Sequence, residues 1–467
     1  MLIDFESLQS RNRPLAWPSS RRRRGAHADG RIDFAASLAD RHRYERQIER
    51  LHQRYILTSR LYELRQDDVS LASIVINRGK VARLLAKEVA SGRYQLEPGE
   101  LRTIRARHKL REVFACRLTD LIVHGVVADI VQEAVESRLS SRVFSYRKGV
   151  AWLSPVSDFA AYVRAARRAE PDVRRRGVYV LRRDVDSYTD SIPIDRDSPL
   201  WPMLEEGLGA PLHPLVRDVI RVEMKIPGGG IVCRIKGLPM GQPIASVIAN
   251  LYLGGLDRAL QQIPGGFYAR YGDDFLFAHR DPAIAQQGAA VADQVVDGLS
   301  LTVNAKKRQT FYLTPPGRPS DDWPEAKGSP WVHFLGTRIA ADGTVGLDAK
   351  KIRGLLREID QRVQQTVRTR TVFDVNGLGR SVCSVVNSAL DPRSTLTQQK
   401  SAVLLRRVVT DRAQLEQVDY WIARMVVEAV TGERRARGFR KLSYRKLRRE
   451  WGLVSLVSAR NARRAER

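Results

Sequence analysis

The tetrapeptide Tyr271-Gly272-Asp273-Asp274 lies inside FYARYGDDFLFA, with short runs of β-forming residues on both sides. This pattern predicts a tight hairpin whose turn carries two adjacent carboxylates. Neighbouring carboxylates repel each other, and a cation between them removes that cost. A second acidic run, Asp184-Val185-Asp186, ends the stretch VYVLRRDVDSY, which reads as a buried strand running into acidic residues. Gly-Asp is also ordinary turn chemistry, so the four residues alone leave a plain hairpin open. The elements around them decide the matter.

Those elements alternate. Leu118, Leu121, Ile122 and Gly125 have the i, i+3, i+4, i+7 spacing of a helix. GLPMGQPIASVIANLYL, from Gly237 to Leu253, predicts a Gly/Pro loop opening an apolar helix. A helix around Pro214 to Met224, a hairpin after Gly228-Gly229-Gly230, a helix through Gln286 to Leu299, and a strand in WVHFLGTRIA complete the central part. The Pro/Gly/Asp-rich stretch from Pro315 to Pro330 reads as a surface loop. Arg105, Arg107, Lys109 and Arg111 recur at every second position, which predicts one strand with a wholly cationic face. From Asp348 onward the pattern is helical, with stripes at Ile352, Leu355, Leu356, Ile359, Val363 and at Leu415, Val418, Ile422, Met425, Val426, Ala429. The expected organisation is a basic flexible arm over 1–30, a body over 31–345 and a helical basic domain over 346–467.

The chain has 467 residues, 43% of them hydrophobic, enough for two or three packed units. Its formal net charge of +27 creates a field that attracts polyanions, nucleic acid first among them. Three widely spaced cysteines and no Cys/His cluster argue for a reducing compartment and against a zinc site. No apolar run is long enough for a membrane span, so the expectation is a cytoplasmic protein with no membrane partner.

Taken in order, DVDSYTDSI at 184–192, GLPMGQPIASVIANLYL at 237–253, RYGDDFLF at 270–277, LTVNAKK at 301–307 and HFLGT at 333–337 resemble the motifs of reverse transcriptases. SYRKG at 145–149 resembles the segment joining fingers to palm in that family. The compact prokaryotic type, found in group II introns, retrons and defence-associated systems, is the nearest resemblance. It implies an α+β right-hand polymerase: fingers and palm with an antiparallel palm sheet, then an α-helical thumb.

The implied reaction is attack of a 3′-hydroxyl on an α-phosphate, with two Mg²⁺ ions about 3.5–4 Å apart lowering the hydroxyl's pKa and neutralising the leaving group; Mn²⁺ is the alternative metal. By resemblance Asp184, Asp273 and Asp274 are catalytic, and the same three carboxylates with the Val185 carbonyl ligate metal. Lys109 and Arg111 would contact the triphosphate, and Lys307 would protonate or hold pyrophosphate. Tyr188, Thr189, Met240, Gly241 and Gln242 line the nucleotide position. Arg105 and Arg107 would meet template phosphate. Arg147 and Lys148 join the nucleic-acid contacts, as do Arg440, Lys441, Arg445 and Lys446, drawn from nine basic residues between Arg434 and Arg449 that interleave with Phe439 and Tyr444 and precede Trp451.

Three departures bear on sugar choice. Thr189 stands where these enzymes usually place an aromatic ring against the ribose 2′-hydroxyl, with Tyr188 one position earlier. Met240 replaces the family glutamine, and Gly272 gives YGDD, a form common in RNA-dependent RNA polymerases. The expected partners are deoxynucleoside triphosphates, a noncoding RNA serving as template or scaffold and its DNA product, with a homo-oligomer or a partner protein also open. The lack of an HNH-type or RNase H-sized extension points to a retron-like or antiviral defence setting. RNA synthesis or template-independent addition on the same palm, and a silent RNA-binding scaffold, are the competing readings.

Overall fold

A computed structural model describes residues 32–465, apart from 57–64, 67–68, 107–108, 148, 173–175, 227, 370–373, 392–399 and 434. Arg107, Lys148 and the arm over 1–30 therefore lie outside the described residues. The fold is mixed α+β. The chain divides into two compact units, Met1–Val150 with Arg182–Phe277 and Gln286–Gln309, and Ala151–Leu181 with Ala278–Ala285 and Thr310–Arg467.

In the first unit the helix Leu118–Val135 is apolar nearly all round and correspondingly buried, with Ile122, Val123, Val126, Val127, Ile130 and Val131 shielded from solvent. It packs against the helices Arg41–Tyr55 and Pro243–Tyr252. The second of these starts at a proline, where the missing N–H costs nothing, and buries Ile244, Ile248 and Tyr252. Each such side chain contributes about 2 kcal/mol of transfer free energy.

A four-stranded sheet in this unit places Lys109–Ala115 at one edge, then Gly99–Ala106, Met224–Ile226 and Gly230–Val232. The single cationic strand expected at 105–111 is thus two antiparallel strands, with Ala106 opposite Lys109, Arg105 opposite Leu110 and Ile104 opposite Arg111. Alternation continues through a chain reversal, so periodicity alone cannot reveal one. Lys109 and Arg111 hold alternate register positions on one strand and Arg105 belongs to the other, while their side chains lie outside the described residues.

A five-stranded sheet runs Lys327–Ser329, Gln309–Leu313, Val178–Asp184, Asp274–His279, Phe267–Tyr271. It is not wholly antiparallel, because Phe311–Leu313 pairs in parallel with Lys327–Ser329. The long connection between those strands gives the chain room to return in the same direction. The stretch 315–330 is largely the exposed loop expected, but it ends in the strand Lys327–Ser329 and is pinned by the buried Ser320 and Ala326 and by Trp323, which packs on Tyr179, whose ring stacks on Tyr312 at 4.6 Å.

The second unit also holds a three-stranded antiparallel sheet, Trp331–Phe334, Thr337–Ala340 and Val345–Gly346, and after it the helices Ala349–Arg368, Val375–Leu390, Lys400–Arg407, Arg412–Thr431, Tyr444–Arg449 and Leu456–Ala465. Ile352, Leu355, Ile359 and Val363 are buried along the first of these helices, and Leu415, Val418, Ile422 and Val426 along the fourth. Trp451 belongs to this core rather than to a nucleic-acid surface. Its indole lies against the bare backbone of Gly379, where a Cβ would stand 2.4 Å from the ring. Among the described residues no helix is long and apolar enough to cross a membrane.

Candidate active site

The strand Val178–Asp184 ends at Asp184, and the hairpin Phe267–Tyr271 to Asp274–His279 turns through Gly272 and Asp273. The two strands are neighbours in the sheet, which brings together carboxylates far apart in the sequence. Gly272 has φ +67°, a left-handed conformation that glycine adopts without a Cβ clash.

A buried polar network fixes this turn. Arg270, wholly shielded from solvent, donates from Nε and Nη2 to the two oxygens of Asp257 at 2.7 and 2.6 Å. Its remaining donors reach the carbonyls of Gly272 at 3.0 Å and Asn250 at 2.9 Å. Burial by itself would lower the pKa of this guanidinium; the Asp257 carboxylate more than offsets it and holds the pKa above the ordinary value. Asn250 in turn donates to the Ser145 carbonyl at 2.7 Å and accepts from the Ser145 hydroxyl, whose oxygen also accepts from the Gly272 N–H at 2.8 Å. Three sequence motifs thus meet at one turn, and every donor of the arginine fork is used.

Asp273 carries the electrostatic signature of the site. Desolvation raises its pKa first, and the charges of Asp184 and Asp274 raise it further, with Lys307 acting in the opposite sense. The protein's own cations stand on the other two carboxylates. Lys307 Nζ lies 2.6 Å from Asp184 Oδ2, and Arg182 Nε and Nη2 donate to Asp274 Oδ1 and Oδ2 at 3.1 and 3.0 Å. Arg182 was not singled out in the sequence. Its signal was there, since residues 182 and 184 share one face of the strand.

The backbone beyond Asp184 is held as well. Asn304 N donates to the Asp184 carbonyl and Asp186 N to the Thr302 carbonyl, bracketing an isolated antiparallel bridge between Val185 and Val303. That bracketing directs the Val185 carbonyl away from the 302–304 segment. Ser187 then adopts φ +44°, a strained conformation for a non-glycine residue at the point where the chain leaves the site.

Around the nucleotide position the expectations separate. Thr189 is partly exposed, and its carbonyl accepts from Leu238 N at 2.8 Å. Gly241 has φ +96°, and Met240 accepts from Phe114 N through its carbonyl. Tyr188 does not face a nucleotide: its ring is buried and its hydroxyl donates to the Ala249 carbonyl at 2.6 Å. Gln242 is likewise drawn inward and donates to the Phe114 carbonyl at 3.1 Å. Beneath it the buried His124 stacks on Phe114, its pKa pushed down to about 4 by burial, only partly offset by Gln242.

Among the basic residues, Arg147 is corrected. Its guanidinium bonds Glu136 and the carbonyls of Ser140 and Val143 inside the fold, which leaves it unsuited to a phosphate. Arg440 and Arg445 are exposed, Lys441 pairs with Glu433 at 2.8 Å, and Lys446 lies over the Trp451 ring.

Asp184, Asp273 and Asp274 are hard oxygen donors of the kind Mg²⁺ takes. Two observations fit a cation here: the raised pKa of Asp273, and the ammonium and guanidinium groups standing on its neighbours. Among the described residues no group of three or more His, Cys, Asp or Glu is arranged to hold a metal.

Residues 124–339 match the family described as "Reverse transcriptase (RNA-dependent DNA polymerase)". No curated protein matches the chain. Similar solved structures include telomerase from Candida albicans in complex with a fragment of telomeric RNA, at 14% identity and TM-score 0.42, covering 72% of this chain and 60% of that one. Apo telomerase from Candida tropicalis, truncated from its C-terminal domain, is 13% identical with TM-score 0.41, over 54% of this chain and 55% of that one. The Candida tropicalis enzyme with a telomeric RNA fragment is 10% identical with TM-score 0.42, over 79% and 68%. The chain spans under two thirds of the first two of these, and likeness at this level says nothing of a shared substrate. Residues 124–339, a little under half of the chain, thus match a reverse transcriptase domain, the kind of domain that carries RNA-directed DNA polymerase chemistry.

Proposed function

We propose that this enzyme copies RNA into DNA at the carboxylates of Asp184, Asp273 and Asp274, within a fingers-and-palm body over 31–345 and a helical thumb over 346–467. The observation that carries this reading is the convergence on Asp273, whose carboxyl feels both Asp184 and Asp274. The three side chains, with the Val185 carbonyl, would hold divalent cations, Mg²⁺ or Mn²⁺. When bound, such ions lower the pKa of an attacking 3′-hydroxyl and offset charge on departing pyrophosphate.

The chain's own groups do the rest. Lys307 and Arg182 balance the acidic charge of the closed site and must release it for the carboxylates to take metal. Lys307 then stands beside Asp184, placed to give a proton to the leaving pyrophosphate. Lys109 and Arg111, at alternate register positions on one strand, serve the triphosphate. Gly241 permits close approach of backbone to the incoming base pair, and the small Thr189 leaves space beside the sugar.

The net charge and the exposed Arg440 and Arg445 support RNA as the partner, in our reading a dedicated noncoding RNA of a retron-like or antiviral defence system. Primer extension on an RNA template, with each nucleotide set supplied separately, tests the reaction. DNA product that disappears in Asp184→Asn and Asp273→Asn supports it. Thr189 and Gly272 favour a second reading, RNA synthesis or untemplated addition on the same palm, and ribonucleotide use equal to or above deoxyribonucleotide use would establish that one. Sequencing the RNA that co-purifies with the protein tests the dedicated partner.

A further inference from the structure

Phe439 stacks between two tyrosines, Tyr444 at 5.4 Å and 10° and Tyr420 at 6.1 Å and 23°. The Tyr444 end of this ladder is closed. Arg448 lies over its ring at 5.3 Å, and its hydroxyl donates to the Asp419 carbonyl. The other end is open, with Tyr420 40% exposed on the helix Arg412–Thr431. Phe439 and Tyr444, the rings the sequence offered for stacking on bases, are therefore taken by each other and by Arg448. Tyr420 is the ring with a face to give.

Charge around the ladder favours an anion. Arg440 follows Phe439 and Arg445 follows Tyr444, and both are exposed. The acidic side chains one and two turns away along the Tyr420 helix are already paired, Glu416 with Arg412 at 2.7 Å and Glu428 with Arg424 at 4.0 Å. An exposed aromatic face with guanidinium groups close by in the chain is the arrangement that binds unpaired bases, the ring stacking and the cations taking phosphate. A paired duplex keeps its bases stacked on one another and offers Tyr420 nothing to stack on.

We propose that the open face of Tyr420 is a stacking platform for an unpaired base of a single-stranded RNA segment. The choice of RNA rests on the polymerase reading above, in which the template is RNA. The pre-stacked ladder holds Tyr420 in place, so little side-chain freedom is lost when a base arrives.

The test is fluorescence anisotropy of the full chain with an oligo(A) RNA dodecamer, a blunt RNA duplex and the matching DNA dodecamer. Tyr420→Ala is expected to weaken binding of the single-stranded RNA by about fivefold or more. Tyr420→Phe and Tyr420→Trp are expected to keep it, and duplex affinity is expected to stay within about twofold in all three. The slope of log affinity against log salt should not change, since no charge is removed. Unchanged single-strand affinity in Tyr420→Ala overturns the platform, as does an equal loss for duplex or an equal loss in Tyr420→Trp. A larger loss for the DNA dodecamer overturns the assignment to RNA. Primer extension by the wild-type protein is measured alongside: its absence overturns the polymerase reading, whereas unaltered binding by Tyr420→Ala overturns the platform.

Discussion

Arg182 grips Asp274 with both prongs of its guanidinium, Nε to Oδ1 at 3.1 Å and Nη2 to Oδ2 at 3.0 Å. Both side chains are largely buried, at 30% and 20% exposure, so the pair is screened less than a surface bridge. Its position two residues before Asp184 makes it a competitor for the charge that a metal would meet. Arg182→Met is expected to bind Mn²⁺ more tightly, read as loss of the free-ion signal in a paramagnetic resonance titration. The same variant, without metal, should be less stable by about 1 kcal/mol. Weaker Mn²⁺ binding than wild type would mean that Arg182 organises Asp274 for the metal instead of holding it back.

Asp273 titrates in a sense opposite to that of most carboxyls in folded proteins. Burial, then Asp184 and Asp274, raise its folded pKa above the unfolded value. The folded state therefore binds the proton more tightly, and stability falls as pH rises from the unfolded aspartate pKa through the folded one. Above that window the penalty is constant. Asp273→Asn removes it, so the metal-free variant is expected to melt higher than wild type at neutral pH and to show a flatter profile through the acidic window. Thermal melts of both proteins in chelator, taken across mildly acidic to neutral pH, check this. A variant that melts lower at neutral pH would show that the carboxylate is stabilised by its surroundings.

Much of this site is legible in the sequence because its chemistry forces residue types. Carboxylates at a strand end and at a glycine turn, with a Gly/Pro loop opening an apolar helix, leave few other readings. What was not legible depends on who neutralises whom. Arg147 belongs to a motif of basic residues, and nothing local shows that Glu136 and two carbonyls claim it. The alternating row at 105–111 has the same period on both sides of a chain reversal. Trp451 sits among arginines and lysines, yet the bare backbone of Gly379, far off in the chain, makes its pocket. For Arg182 the alternation of the strand already placed it on the face of Asp184, but its pairing with Asp274 depends on which strand lies alongside.

Arg270 and Asp257 form an ion pair with almost no solvent contact. Breaking it from one side leaves a buried charge alone, which costs about 3–5 kcal/mol, whereas replacing both partners by apolar groups of similar volume is far milder. Arg270→Met is accordingly expected to lower the denaturation midpoint sharply, and Arg270→Met with Asp257→Leu to recover most of the loss. Activity should not recover with it, because the Gly272 carbonyl has still lost its donor and the Asp273 turn its anchor. Urea melts and primer extension on the same preparations separate the two effects. Recovery of both together would show that the pair serves stability alone.

Thr189 offers the sharpest test of how the site chooses a sugar. Its backbone is fixed on both sides: Leu238 N bonds its carbonyl, and the preceding Tyr188 is anchored in the core through Ala249. Its side chain is partly exposed, so enlargement would extend outward without disturbing the packing. A phenylalanine there supplies the bulk that Tyr188, turned inward, cannot. Thr189→Phe is expected to raise the preference for deoxyribonucleotides over ribonucleotides by about tenfold, which corresponds to about 1.4 kcal/mol of discrimination. The effect should fall on kcat/KM for ribonucleotides and spare that for deoxyribonucleotides, because only the 2′-hydroxyl meets the new ring. Single-nucleotide extension with matched pairs of triphosphates measures it. Equal loss for both sugars would place position 189 against the base or the phosphates, and sugar choice would then have to come from the Gly/Pro loop around Met240 and Gly241.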